Sequence, residues 1–297
     1  MPIARANGLD VHYSVEGAGP PLVLLHGATS TAAEDWSAQR PLFRKAFRLY
    51  LVDARGHGGT KWDVRDGFDR DMLVEDLLAF ADALGLSTFH VVGFSMGAMT
   101  ALTFATRYPE RLRTAMICGI DIVREPRSSV AKRLMDPERV LREEPEWAEQ
   151  LERRHGPVQG QGAWQRLLPA IAADVAAARL LTPEELRCIR LPVQLVYGDR
   201  DVFVPVDHAA AIHKQLPDSR LFICPNSPHQ VMVAQPALFN LAAGNFYRST
   251  EKVARQRAVQ GAHESEPSGA GVGATVYDPT TAAVASEDDP SDPFSTW

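Results

Sequence analysis

The chain has 297 residues, 45% hydrophobic and 23% charged, enough for one large or two small α/β domains with a sizeable buried core. Its net charge of −6 is uneven: residues 258–297 carry seven acids and no Lys or Arg, which leaves residues 1–257 at +1, with no basic stripe for nucleic acid. No apolar run nears the roughly 18 residues of a membrane span, Met1–Arg5 lacks the apolar core of a secretory signal, and Cys118, Cys188 and Cys224 form neither a disulfide framework nor a metal spacing, so a reduced cytoplasmic protein without metal, membrane or nucleic-acid partner is expected, its oligomeric state open.

Ile3–Ala6 and Val11–Val15 flank Asn7-Gly8, a tight-hairpin signal. Pro21-Leu22-Val23-Leu24-Leu25 is a continuous apolar run, as in a strand covered on both faces, and it ends in His26-Gly27-Ala28. One helix is expected over Trp36–Ala46, capped near Asp35 or Ser37. Arg48–Val52 is the next strand, followed by the glycine-rich loop Asp53-Ala54-Arg55-Gly56-His57-Gly58-Gly59-Thr60. Asp71–Leu84 has apolar residues at helical spacing, and Gly85 fits its C-terminal stop. Phe89–Gly93 reads as a strand, Ala98–Tyr108 as a helix ended by Pro109, and Leu112–Cys118 as a further strand.

From about Asp121 to Arg190 the alternation gives way to mixed charges and six prolines, which reads as an inserted helical segment. It resumes with strands at Val193–Tyr197 and Arg220–Cys224 and helices at Asp207–Gln215 and Val231–Tyr247. After about Ser249 large apolar residues are scarce, so residues 249–297 are expected to be a disordered acidic tail, and its end, Asp292–Trp297, is read as part of that tail rather than as a docking motif. The fold class is therefore α/β, a mostly parallel sheet with helices on both faces. Its core is expected over residues 1–120 and 191–248, with 121–190 a helical insertion after the sixth strand. Ligands in such sheets bind at the carboxyl ends of the strands, where the glycine-rich loops fall.

Between the fifth strand and its helix stands Gly93-Phe94-Ser95-Met96-Gly97. A serine at the apex of so sharp a turn is lifted out of the sheet, and the Met96 N–H at the new helix start points where negative charge can be stabilised. A serine hydroxyl needs a base, and the base needs an orienting group. Asp201 follows the strand at 193–197 and His229 follows the last strand. The order Ser95, Asp201, His229 assigns nucleophile, acid and base, with His229 taking the serine proton and Asp201 holding the ring's tautomer.

These features resemble the α/β-hydrolase superfamily, in its branch of small capped serine esterases, lactonases and C–C hydrolases. The likeness covers about residues 1–247 and rests on His26-Gly27, Asp53-x-Arg55-Gly56-His57-Gly58, Gly93-Phe94-Ser95-Met96-Gly97, Gly198-x-x-Asp201 and Ser227-Pro228-His229. Gly59-Thr60 stands where the family's second motif usually ends in serine. The resemblance implies a cofactor-free hydrolase of a small-molecule substrate, with the 121–190 helices as a lid. It also places the oxyanion hole at the backbone N–H groups of Ala28 and Met96, worth about 3–4 kcal/mol each.

The function so implied is hydrolysis of a carboxylic ester, lactone or thioester through an acyl-serine. The same triad suits C–C bond hydrolysis, acyl transfer or perhydrolysis, and a ligand receptor on a hydrolase scaffold is the reading from another class. Asp121 is a candidate substrate contact for a cationic group, or else a capping or solvated carboxylate. His26 and His57 are expected to tie down their loops, Asp53 to pair with Arg55, and Cys224 to be inert. Trp147 and Trp164 either line the pocket or pack the insertion onto the core.

Overall fold

The computed structural model describes residues 2–264, with side chains to residue 252. Eight strands form one sheet: β1 (Ile3–Ala6), β2 (Leu9–Glu16), β3 (Pro21–Leu25), β4 (Arg48–Val52), β5 (Phe89–Phe94), β6 (Leu112–Cys118), β7 (Val193–Gly198) and β8 (Ser219–Cys224). Their order is β1-β2-β4-β3-β5-β6-β7-β8, with β1, β2 and β4 joined antiparallel and all pairs from β4 to β8 parallel. The β1–β2 turn uses Asn7 and Gly8 at φ 47° and 77°, the two positive φ values of a tight hairpin.

Among the described residues, twelve α-helices cover the sheet or join its strands: α1 (Ala32–Asp35), α2 (Arg40–Phe43), α3 (Arg70–Ala83), α4 (Met96–Arg107), α5 (Arg127–Leu134), α6 (Pro137–Glu143), α7 (Pro145–Gln159), α8 (Trp164–Ala177), α9 (Pro183–Cys188), α10 (Val206–Gln215), α11 (Val231–Ala234) and α12 (Pro236–Glu264). Alternate residues of each parallel strand feed opposite layers. Val23, Val91, Ala115 and Leu195 pack with α3, α4 and α10 on one face. Leu22, Leu24, Val92, Met116 and Val196 pack with Trp36, Phe43 and the α12 side chains Phe239 and Phe246 on the other. α3 ends at a left-handed Gly85 (φ 66°), where Leu86 N–H reaches Ala81 O and Gly85 N–H reaches Asp82 O, a Schellman stop.

Two sequence expectations need correction. Of the helix expected over Trp36–Ala46 only α2 forms, with Pro41 in its first turn, and a separate α1, capped by Thr31, precedes it. Proline lacks an N–H and fits best in a first turn, so α2 begins beside it. The boundary at Ser249 also fails, because α12 continues to Glu264 and Thr250 is buried. Residues 251–264 are rich in Ala, Glu, Lys, Arg and Gln, which extend a docked helix at little cost. The expectations for residues 265–297 lie outside the described residues.

α5 to α9 stand between β6 and β7. Within them Val140, Leu151, Trp164 and Leu168 build a small core of their own, so Trp164 belongs to that packing. No helix among the described residues is long and apolar enough to cross a membrane.

Candidate active site

The sheet order reverses at β3, which lies between β4 and β5. The loops after β3 and β5 therefore open side by side at the carboxyl edge, with Leu25 opposite Gly93 in the ladder. Ser95 sits there at φ 49°, ψ −107°, as the residue before α4, a backbone conformation costly for any non-glycine residue. It is held by Ser95 N–H on Cys118 O (2.8 Å) and Gly97 N–H on His26 O (3.1 Å). A Cβ at position 93 would fall 2.3 Å from Gly97 O, and one at position 97 would fall 2.6 Å from Leu25 O. The two glycines are therefore steric requirements of the turn.

β7 and β8 deliver the other two groups. His229 Nδ1 is 2.7 Å from Asp201 Oδ2, and the Asp201 side chain is fully buried. Asp201 Oδ1 accepts the N–H groups of Phe203 (2.7 Å) and Val204 (3.2 Å), which fixes the carboxylate's orientation. The rings of Phe203 and Phe94 lie 4.5 and 4.9 Å from the imidazole. Gly119, at φ 67°, leaves room for the ring: a Cβ there would come within 2.8 Å of His229 Cε1. His229 Nε2 is buried with no hydrogen-bond partner among the described residues, so the bond to Ser95 Oγ is not formed in this structure. Asp199, two residues before Asp201, instead accepts Ser227 N–H (2.9 Å), and that bond draws its pKa down.

Ala28 and Met96 line the cavity that also holds Ser95 and His229. Met96 opens α4, so its N–H has no acceptor within the helix. The loop carrying Ala28 is braced by three buried histidines. His26 Nε2 accepts Ala54 N–H (3.0 Å) and its Nδ1–H donates to Gly27 O (2.7 Å). His57 Nε2 accepts Thr29 N–H (3.2 Å) and donates through Nδ1–H to Arg55 O (2.9 Å). His155, from α7, accepts Gly58 N–H at Nδ1 (3.1 Å) and donates through Nε2–H to Thr29 O (3.2 Å). Each ring accepts at one nitrogen and donates at the other, as only a neutral imidazole can. Burial lowers the His57 pKa well below its ordinary value and brings His155 down to about 4. Asp35 accepts Gly27 N–H (2.8 Å) from below the loop, and its own burial raises its pKa.

The cavity has a volume of about 270 Å³ and reaches up to α5, α7 and α8 through Arg127, Met135, Trp147 and Ile171. Asp121 is not one of its walls. It is fully buried, with Oδ2 2.6 Å from His208 Nδ1 and Oδ1 accepting Val123 N–H (2.8 Å). The expected Asp53–Arg55 pair is replaced by another. Arg55 forks onto both oxygens of Asp76 (2.6 and 2.7 Å), while Asp53 accepts the N–H groups of Gly59 and Ala32. Arg55 points across to α3, and no short-range signal reports that. Cys224 is buried, with its pKa raised by burial, as expected for an inert thiol. Arg70, Arg127 and Asp174 also line the cavity and were not anticipated, since Arg127 and Asp174 lie on helices of the insertion and Arg70 at the start of α3, and only tertiary packing brings them together.

The family model described as the alpha/beta hydrolase fold matches residues 20–155. Among characterised proteins, the chain is similar to serine hydrolase BPHL of Homo sapiens (27% identity, 81% of this chain and 84% of that one). It is also similar to 2-hydroxymuconate semialdehyde hydrolase of Pseudomonas sp. strain CF600 (25%, 84% and 94%). Solved structures with the same fold include a meta-cleavage product hydrolase from Pseudomonas fluorescens (TM-score 0.69, 19% identity, 83% of this chain and 97% of that one). Another is an enol-lactonase from Burkholderia xenovorans (TM-score 0.67, 20%, 83% and 100%). The sheet order, the strand–serine–helix turn and these likenesses together define the class: the chain has the α/β-hydrolase fold. It is an enzyme of that fold, with esterases, lactonases and C–C hydrolases among the proteins it is similar to.

Proposed function

We propose that the chain is a serine hydrolase that cleaves a small-molecule carboxylic ester, lactone or thioester through an acyl-serine, with Ser95, His229 and Asp201 as its triad. The observation that carries this reading is the fixed Asp201–His229 pair at 2.7 Å, whose free Nε2 belongs to a side chain lining the same cavity as Ser95. Hydrogen bonds to the nucleophile are often absent before substrate binds and form in the complex.

In the reaction, Ser95 Oγ attacks the carbonyl carbon as His229 Nε2 takes its proton. The carbonyl oxygen becomes an oxyanion facing the Ala28 and Met96 N–H groups. Collapse expels the alcohol or thiol, protonated by His229. Water then loses its proton to His229 and attacks the acyl-serine, which releases the acid and restores Ser95. Asp201 keeps the Nδ1–H tautomer throughout and stabilises the imidazolium. We assign residues 121–190 the role of a lid over this site, on the strength of the cavity walls contributed by α5, α7 and α8.

The test is intact-protein mass after treatment with a fluorophosphonate. One adduct mapped to Ser95, absent in Ser95→Ala and strongly slowed in His229→Ala, is expected. Adduct formation at another residue, or none on folded protein, refutes the assignment. A second reading, C–C bond hydrolysis by the same triad, is favoured by the likeness to 2-hydroxymuconate semialdehyde hydrolase. A panel of esters, lactones and vinylogous diketones separates the two by product.

A further inference from the structure

Arg127 is a buried cation without a matching anion among the described residues. It is 8% exposed, lines the same cavity as Ser95 and His229, and its Nε and one Nη have no hydrogen-bond partner among those residues. It is also the first residue of α5, the end where a helix dipole disfavours positive charge. Leaving a buried guanidinium unpaired is costly, and nothing in the packing of the apoprotein accounts for placing one there.

The neighbouring charges are already committed. Arg70, on α3, donates to Arg179 O (3.1 Å) and pairs with Asp174 at 3.7 Å, and Asp174 also accepts the Arg70 backbone N–H (2.8 Å). Arg124 donates to the last carbonyls of α8. Asp121 is held by His208 and Val123. Arg70 and Arg124 repel the Arg127 charge, Asp121 and Asp174 attract it from a distance, and burial brings its pKa down to about 10, so it remains charged at neutral pH. Counting Arg70, Arg127 and Asp174 among the cavity walls leaves the site one positive charge in excess. This reverses the polarity that Asp121 suggested in the sequence.

We propose that the substrate carries a free carboxylate, seated by the Arg127 guanidinium while its ester, lactone or thioester carbonyl lies at Ser95. This rests on the hydrolase reading and names the substrate class that Arg127 selects. A guanidinium presents two parallel N–H groups that match a carboxylate's two oxygens, and the cavity's other walls (Met135, Trp147, Ile171, Phe203) suit a short apolar spacer between the two ends. Arg127 is thus a specificity-determining residue.

The test uses two matched substrate pairs: 4-nitrophenyl esters ending in a carboxylate or a carboxamide on the acyl side, and butyrate esters of 3-hydroxybenzoate or 3-hydroxybenzamide on the alcohol side. In at least one pair the wild-type enzyme is expected to favour the carboxylate in kcat/KM. Arg127→Met should erase that preference by roughly tenfold to a hundredfold, the worth of a hydrogen-bonded charge contact, with Arg127→Lys intermediate. In a Ser95→Ala background, adipate should raise Tm, and the rise should vanish in Ser95→Ala/Arg127→Met.

No carboxylate preference in either pair, or a preference that survives Arg127→Met, overturns the proposal. So does a Tm well below wild type in both Arg127→Met and Arg127→Gln, because removing an unpaired buried charge should not destabilise the protein unless its role is structural. Absence of turnover and of fluorophosphonate labelling counts against the hydrolase reading. The adipate shift still reads the anion site separately, and its absence overturns that site.

Discussion

Asp201→Asn keeps the volume of the site and changes only which way a proton faces. Asp201 Oδ1 accepts two backbone N–H groups, from Phe203 and Val204, while Oδ2 faces His229 Nδ1 at 2.7 Å. In the amide the single oxygen stays with the two N–H donors, so the NH2 group turns to His229 and donates to Nδ1. The imidazole proton then sits on Nε2, where the base needs a lone pair. Reversing the amide restores the working tautomer but sets NH2 against two backbone donors, at about 1–3 kcal/mol for each one orphaned. The total of about 2–6 kcal/mol corresponds to a loss of roughly thirtyfold to twenty-thousandfold, its upper end near the effect known for this change in serine triads. The assay is kcat/KM on a 4-nitrophenyl ester beside the second-order rate of fluorophosphonate labelling, both of which require Ser95 to be deprotonated. They should fall by similar factors, while Asp199→Asn, which alters a bond to Ser227 N–H, leaves the tautomer intact. Activity within threefold of wild type for Asp201→Asn, or a larger loss for Asp199→Asn, refutes the reasoning.

Two other outcomes follow from the same geometry. Gly119→Ala places a methyl 2.8 Å from His229 Cε1 at a φ of 67°, so it should displace the imidazole and lower kcat by more than tenfold, with a stability loss of about 1–2 kcal/mol; unchanged kcat in a folded variant would show that the ring has room to spare. His155 has its folded pKa brought down to about 4 against about 6.5 unfolded, so the unfolded chain binds more protons between those values and stability is lost as pH falls from 6.5 toward 4. The loss is about 3 kcal/mol for this one group. Urea titrations at pH 7, 5.5 and 4.5 should show a shallower pH dependence for His155→Gln, and equal slopes would disprove the assignment.

What the sequence by itself determined was local. Asn7-Gly8 dictates a hairpin, Gly85 a helix stop, and Gly93-x-Ser95-x-Gly97 a turn with Ser95 at its apex, because backbone sterics act between near neighbours and leave a mark in residue type. The order of strands and helices followed from hydrophobic period for the same reason, and the triad candidates from loops that end successive strands. The histidines at 26 and 57 were legible as loop braces because they stand inside glycine-rich turns.

Only the tertiary structure decided which distant groups meet. Arg55 takes Asp76 on α3 rather than Asp53 two residues away, since a fork needs a carboxylate in its own plane and the strand-end loop turns the nearer one toward Gly59 N–H. His155 reaches Thr29 across 126 residues, and Asp121 is withdrawn from the cavity by His208. Arg127 comes to line the Ser95 cavity because α5 packs on α8. A helical period says that a helix has two faces, but the layer it packs against decides which of them looks at the serine.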